Sequence, residues 1–211
     1  MIIKLSSPYH EYVCETFQAL TDALVPETPP MQHGSYVIDS DLNVHEYVIH
    51  ALNHEITIQQ QFFLTPIPLA YPTALMLDSA AAQLIAAGQL QTPSKKSNAR
   101  GAFSSLVRQD RIRVLAALEE LRVDVNALPS PYTNNAGMVK YVTDALNRLS
   151  LFGYYSEWSA YGSTRLLPPD QRRLQFFPLS WQQVGYPGVS LGYRDFRGFL
   201  MKMPRNGESG K

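Results

Sequence analysis

The sequence has no excess of charge and almost no cysteine. Its 211 residues include 18 Lys and Arg against 18 Asp and Glu, so the formal net charge is zero. Such a chain has no field that would attract a phosphate backbone or an anionic membrane surface, which argues against nucleic acid as a partner. The single cysteine, Cys14, excludes an internal disulfide. With no His, Lys or Arg beside it in a predicted helix, Cys14 is interpreted as a buried hydrophobe and not as a reactive thiol.

Long apolar runs are also missing. The richest stretch, residues 74–87, is short and is interrupted by Asp78, Ser79 and Gln83, so the sequence predicts no membrane span. Residues 1–13 contain neither a signal-peptide core nor a twin-arginine pair. These observations predict a cytoplasmic protein, or a periplasmic one if a twin-arginine leader has been removed.

Several motifs of cofactor-binding proteins are absent. The sequence contains no dinucleotide-binding G-x-G-x-x-G, no P-loop and no cysteine pair for haem or iron–sulfur attachment. We therefore assign no catalytic residue and no cofactor-binding residue to this chain.

A histidine pair is the main candidate for metal binding. His50 and His54 are four residues apart in a predicted helix, so both rings can project from one face, and Glu46 precedes His50 by four. The pattern departs from the zinc-protease motif, because Ala51 stands where that motif has Glu. We interpret these residues as a polar helix face and assign no metal site. The alternative is an independent helical metal-binding protein or enzyme that uses Glu46, His50 and His54.

Apolar residues recur at intervals of three and four over most of the first 152 residues. This spacing predicts helices over 9–25, 41–64, 73–87, 106–121 and about 134–152, separated by proline-containing segments. The fold class is therefore mainly α. We expect a single domain, with a bundle of about five helices in residues 1–153, an irregular segment over 154–204 and a disordered tail at 205–211.

The segment 154–204 is rich in Tyr, Trp, Phe, Gly and Pro and has no period of 2 or 3.6. Disorder requires low hydrophobicity and high charge, so this segment must pack on something. It either wraps the bundle and completes its core or faces another protein, because Tyr, Trp and Arg are enriched at interface centres. A free-standing module that binds a peptide or a lipid through this aromatic surface is a further alternative.

Two strings near the ends of the chain resemble a known family. Residues 17–27 (FQALTDALVPE) resemble the opening helix of the gluconate 2-dehydrogenase subunit 3 family, and residues 181–188 (WQQVGYPG) resemble its terminal signature. Residues 103–121 and 152–155 (FGYY) are similar to its middle and late segments. The resemblance covers about residues 17–188, although 156–179 departs from the family's pattern.

The resemblance implies a small, non-catalytic accessory subunit in a heteromeric oxidoreductase complex. Its partner would be a larger flavoprotein of the glucose–methanol–choline (GMC) oxidoreductase class, which carries the FAD, and a cytochrome subunit takes the electrons where one is present. This chain would bind no cofactor. Because no twin-arginine pair follows Met1, we expect a chaperone-like role in assembly or stabilisation more than in export.

The terminal string also has a physical interpretation. Gly185 and Gly188 flank Tyr186 and Pro187, which predicts a tight turn in which glycine allows a positive φ and proline fixes the bend. Such a turn would use its aromatic rings either to anchor itself to the bundle or to dock the partner. The predicted partner interface consists of Trp181, Gly185, Tyr186, Pro187, Gly188, Tyr155 and Trp158.

Overall fold

The structure is a computed structural model that describes residues 8–25, 42–56, 67–90 and 100–186. These residues form helices and turns and contain no β-strand, which confirms the mainly α prediction. The longer helices are α1 (Pro8–Leu24), α2 (Val44–His54), α3 (Ala70–Ala86), α4 (Arg108–Glu119) and α5 (Ala136–Tyr155). A short helix, α6, spans Leu179–Val184, and 3₁₀ turns span Val125–Ala127, Trp158–Thr164 and Pro169–Gln171.

The predicted bounds of α1, α3 and α5 agree with the structure to within three residues. Helix α2 begins at Val44 instead of 41, because Asn43 directly before it has a left-handed backbone with φ 50°. The described part of α2 ends at His54. The rest of the predicted helix, residues 57–64, lies outside the described residues.

Helix α1 supplies the centre of the core. Val13, Phe17 and Leu20 are buried at spacings of four and three, so one stripe of α1 faces inward. This stripe packs where α1 meets α2, α3 and α4, while α5 closes the bundle against α2 and α4. The largest fully buried side chains are Tyr132, Phe17, Phe103, Leu20, Leu52, Met76, Leu77, Leu118 and Leu146.

The sequence predicts one continuous apolar stripe along α4, and that prediction is partly wrong. The stripe consists of Leu106, Val107, Ile112, Leu115, Leu118 and Leu121. Val107 and Ile112 are exposed, and the inner face is formed by Val114, Leu115 and Leu118. Leu106, Leu115 and Leu118 are buried as predicted. Two arginines of α4, Arg108 and Arg111, reach across to the C-terminal part of α1.

These two arginines bind backbone carbonyls in and just after the C-terminal part of α1. Arg108 donates from Nε to the carbonyl of Ala23 (3.2 Å) and from Nη2 to that of Val25 (2.9 Å). Arg111 donates from Nη1 to the carbonyl of Ala19 (3.1 Å). Cations at a helix C-terminus also complement its dipole, so α4 and α1 are joined by polar bonds as well as by the core.

Beyond α5 the described chain continues as short turns that pack on α2 and α5. The Tyr154 hydroxyl donates to Gln183 Oε1 (2.7 Å) and so links α6 to the end of α5. Residues 187–204 of the predicted irregular segment and the predicted tail 205–211 lie outside the described residues. The division of the domain at residue 153 stays a prediction.

None of the helices in the described part of the chain has both the length and the apolar character needed to cross a bilayer.

Candidate functional site

Two histidine-containing helix faces meet in one groove. On α1, His10 and Cys14 are four residues apart, with 3.6 Å between His10 Nε2 and Cys14 Sγ. On α2, the rings of His50 and His54 lie 4.7 Å apart between centroids. All four side chains line a groove of about 220 Å³ between the two helices. Residues four apart share a helix face, which is why each pair comes together.

The three metal candidates named from the sequence do not form a ligand set. Both carboxylate oxygens of Glu46 accept hydrogen bonds from Arg165, Oε2 from Nε at 2.6 Å and Oε1 from Nη2 at 2.9 Å. Both oxygens of Glu46 are thereby engaged in a bidentate ion pair with Arg165. Among the described residues, no group of three or more His, Cys, Asp and Glu side chains is placed to hold a metal ion.

Burial favours the neutral form of the His50 ring. Removal from water lowers the pKa of His50, and the nearby His54 and Arg172 lower this pKa further, while Glu55 opposes them. The Nδ1 atom of His50 is buried and has no hydrogen-bond partner among the described residues. Its nearest carboxylate oxygen, Glu55 Oε1, is 4.0 Å away, which is beyond hydrogen-bond distance.

The interpretation of Cys14 needs one correction. A histidine does lie beside it, since His10 precedes it by one helical turn. Burial nevertheless raises the pKa of the Cys14 thiol, and the charge of Glu46 raises it further. Cys14 is half-buried and stays protonated near neutral pH, so the inference that it is not a reactive thiol stands. The spacing of four residues in the sequence was the signal for this contact.

Trp158, predicted as an interface residue, is an anchor within the fold. Its side chain is only 2% exposed, and its Nε1 donates to the carbonyl of Asn43 (3.0 Å). The indole contacts Tyr47 and His50 of α2, with ring centroids 5.2 and 5.9 Å away. The guanidinium carbon of Arg172 lies 5.5 Å from its centroid. Trp158 therefore fixes the segment after α5 to the start of α2.

Within the described residues, the terminal motif consists of α6 and the residues that end it, and Gly185 has the predicted positive φ. Gly185 has φ 68° and ends α6 in the left-handed region that favours glycine. The ring of Tyr186 then folds back to 4.7 Å from the ring of Trp181, on which Phe177 also packs at 5.7 Å. Trp181 is 9% exposed, whereas Tyr186 is 44% exposed. Trp181 thus supports the turn, and the ring of Tyr186 is exposed to solvent.

The other predicted interface residues have different outcomes. Tyr155 is exposed at the end of α5, with its ring against that of Tyr154. Pro187 and Gly188 lie outside the described residues. Whether any of these residues contacts a partner stays a prediction.

An exposed aromatic groove between α2 and α5 was not found from the sequence. Its volume is about 350 Å³, and its walls include Tyr47, Tyr141 and Phe152. Phe152 is 61% exposed and lies 5.6 Å from Tyr47 between ring centroids. A second stripe on α5, formed by Tyr141, Ala145, Leu149 and Phe152 at spacings of four, four and three, was the signal that could have found it.

One short segment that fits a catalytic motif was not identified from the sequence. Residues 188–192 (GVSLG) fit the G-x-S-x-G pattern, in which a serine stands on a sharp turn between a strand and a helix. The string lies outside the described residues, and the described part of the chain is helical with no strand. The pattern alone therefore assigns no nucleophile.

Comparison with known proteins gives no match, whether with a family model, a curated protein or a solved structure. The structure defines a mainly α protein in which the exposed rings of Phe177 and Tyr186 pack on the buried Trp181. Any function is inferred from the residues of this chain and from the resemblance of its two strings.

Proposed function

We propose that this chain is a non-catalytic accessory subunit that binds a larger flavoprotein dehydrogenase of the GMC class and stabilises or assembles it. The observation that carries the proposal is the turn at 181–186. The string that resembles the family's terminal signature holds an exposed Tyr186 against the buried Trp181. In this proposal the FAD belongs to the partner, and a cytochrome subunit takes the electrons where one is present.

The turn has the physical properties of a docking element. Phe177, Val184 and Tyr186 are all exposed next to the buried Trp181. Because Trp181 contacts the rings of both Phe177 and Tyr186, these rings lose little freedom when they bind. Rigid aromatic side chains supply large contact areas and are enriched among residues that dominate interface energetics.

The test is co-purification from the native host of the chain carrying a tag after Lys211, followed by an absorption spectrum of the purified material. We expect a larger chain that remains bound in mild salt and shows flavin absorption. A colourless chain that elutes alone under the same conditions would overturn the proposal.

A matched pair of variants assigns the contact to the turn. Tyr186→Ser removes the exposed ring of the turn, and Tyr9→Ser removes an exposed ring on α1. We expect Tyr186→Ser to lose the flavoprotein and Tyr9→Ser to retain it, with the same helical circular dichroism in both. If Tyr186→Ser unfolds the isolated chain, the ring anchors the fold and the docking role assigned to it fails.

A further inference from the structure

The contact between Trp158 and α2 depends on an uncharged imidazole. The ring of His50 lies 5.9 Å from the indole of Trp158 and 4.7 Å from the ring of His54, between centroids. Arg172 already places a cation over the same indole, 5.5 Å from its centroid. Trp158 therefore contacts both a permanent cation, Arg172, and the imidazole of His50, which becomes a cation when it takes up a proton.

Protonation of His50 would create a buried donor that cannot be satisfied in this geometry. The second proton must go to one of the two ring nitrogens, and the charged ring donates from both. Nδ1 is buried without a hydrogen-bond partner among the described residues. A buried N–H left unpaired destabilises the arrangement that buries it, so the charged ring favours a conformation in which water reaches it.

The groups around His50 do not neutralise this charge. On α2, the neighbouring ring of His54 supplies no negative charge, and Glu55 Oε1 is 4.0 Å from Nδ1 on a side chain that is mostly exposed. From α1, His10 and Cys14 face the same groove, and neither supplies a negative charge near neutral pH. Glu46 is also in the groove, but Arg165 takes both of its oxygens.

We propose that His50 is a pH-sensitive latch for the segment after α5: when its ring takes up a proton, the indole of Trp158 leaves α2 while the helical bundle stays folded. The proposal is independent of the proposed function.

The change is local because other bonds also hold the segment. Arg165 donates to both carboxylate oxygens of Glu46 and so holds the segment close to α2. The hydrogen bond from Tyr154 to Gln183 holds α6 to α5. Acid therefore opens the Trp158 contact and does not detach the whole C-terminal part.

The test uses the fluorescence of Trp158 in the full chain. The sequence has two tryptophans, so Trp181→Phe leaves Trp158 as the only one. We expect its emission to shift to longer wavelength and its quenching by acrylamide to rise as the pH falls from about 7.5 to about 5. The midpoint is expected below the value of a free imidazole, and far-UV circular dichroism is expected to stay constant. If Trp158 is equally protected at both ends of this range, the latch does not exist.

Variants in the same background identify the titrating group. We expect His50→Gln to abolish the transition and His10→Gln, a change on α1 in the same groove, to retain it. Glu55→Gln removes the carboxylate that opposes the lowering of the His50 pKa, so it should move the midpoint to lower pH. A transition that survives His50→Gln overturns the proposal. Should His50→Gln fail to fold, a midpoint unchanged by Glu55→Gln overturns it instead.

Discussion

Gly153 lies where α5 packs against α2, and its missing side chain sets how closely the two helices approach. A Cβ atom here would lie 2.8 Å from Tyr47 Cδ1 and 3.1 Å from Val44 Cγ1. We expect Gly153→Ala to lower the free energy of unfolding by about 1–3 kcal/mol, because one of these side chains must shift out of its packing. Urea unfolding followed by circular dichroism measures the change.

Gly137, in the first turn of the same helix, provides the control. The nearest atom to a Cβ at this position is Asn135 Oδ1 at 3.9 Å, so an added methyl group meets open space. Alanine is the better helix former, and Gly137→Ala should raise the free energy of unfolding by up to about 1 kcal/mol. Equal effects of the two substitutions would contradict close approach as the reason for Gly153.

The hydroxyl of Tyr132 makes a buried hydrogen bond whose contribution to stability can be measured. Tyr132 is fully buried, and its hydroxyl lies 2.5 Å from Thr73 Oγ1, which is buried as well. Tyr132→Phe removes the hydrogen-bond partner of the buried Thr73 hydroxyl, so we expect the free energy of unfolding to fall by about 1–3 kcal/mol. Tyr155→Phe, on an exposed ring of α5, should change it by less than about 0.5 kcal/mol. A similar loss in both variants would rule out the buried pair as the cause.

At the level of the helices, the junction of α4 with α1 gives a prediction about polar bonds. Arg111 donates to the carbonyls of Ala19 at the end of α1 and of Ser104 in the preceding turn, at 3.1 and 2.9 Å. Burial lowers the pKa of this guanidinium, so the bonds are made at the cost of partial desolvation. Hydrogen bonds from charged groups are stronger than neutral ones, and we expect Arg111→Met to cost about 1.5–3 kcal/mol in the free energy of unfolding.

The control for Arg111 is an arginine in an exposed helical pair. Arg148 pairs with Asp144 four residues earlier at 2.6 Å, and both side chains are mostly exposed. Arg148→Met should therefore change the unfolding free energy by no more than about 1 kcal/mol, measured by the same thermal or urea unfolding. If Arg111→Met is as mild as Arg148→Met, the carbonyls of α1 are satisfied by water and not by α4.

The helices could be predicted from the sequence because their apolar periodicity survives in the chain. Phe17 and Leu20 on α1, or Val142 and Leu146 on α5, repeat at three and four residues and are buried as expected. The contacts of Arg108 and Arg111 on α4 could not be predicted, since these side chains bind carbonyls 83 to 92 residues earlier in the chain. Periodicity contains no information on such long-range polar bonds.

The candidate site was predictable only in part for a related reason. The i, i+4 spacing of His50 and His54 places their rings together, as the structure has it. The partner of Glu46 is Arg165, 119 residues later in the chain, so no local pattern could show that this carboxylate is occupied. Composition likewise marked Trp158 and Tyr186 as aromatic but could not separate the buried anchor from the exposed ring.

For the molecule as a whole, buried titratable groups limit the pH range of stability on both sides. Burial lowers the pKa of His45 and of His50. Below the ordinary imidazole pKa of about 6.5 the unfolded chain therefore binds more protons than the folded one. The stability from the neutral rings is complete above that value, is lost as the pH falls toward the folded pKa values, and stays lost below them.

On the alkaline side, unfolding releases protons instead of taking them up. Burial raises the pKa of the Tyr47 and Tyr132 hydroxyls to about 12, and it raises the pKa of Tyr12, whose hydroxyl donates to Asp78 Oδ2. Unfolded phenols ionise near pH 10, so the stability from the protonated Tyr47 and Tyr132 hydroxyls is complete below about pH 10 and is lost as the pH rises through about 12. For the fully buried Tyr132 the loss amounts to roughly 2–3 kcal/mol.

These two limits predict a plateau of stability between about pH 7 and pH 9 with a separate cause at each end. The measurement is the urea midpoint as a function of pH for the wild-type chain, His50→Gln and Tyr132→Phe. We expect His50→Gln to flatten only the acid limb, because it removes a group that takes up its proton on unfolding. Tyr132→Phe should flatten only the alkaline limb, because it removes a phenol that ionises on unfolding. A variant that lowers the urea midpoint equally at every pH would show that its side chain contributes packing alone. The acid limb would then belong to His45 instead of His50, and the alkaline limb to Tyr12 and Tyr47 instead of Tyr132.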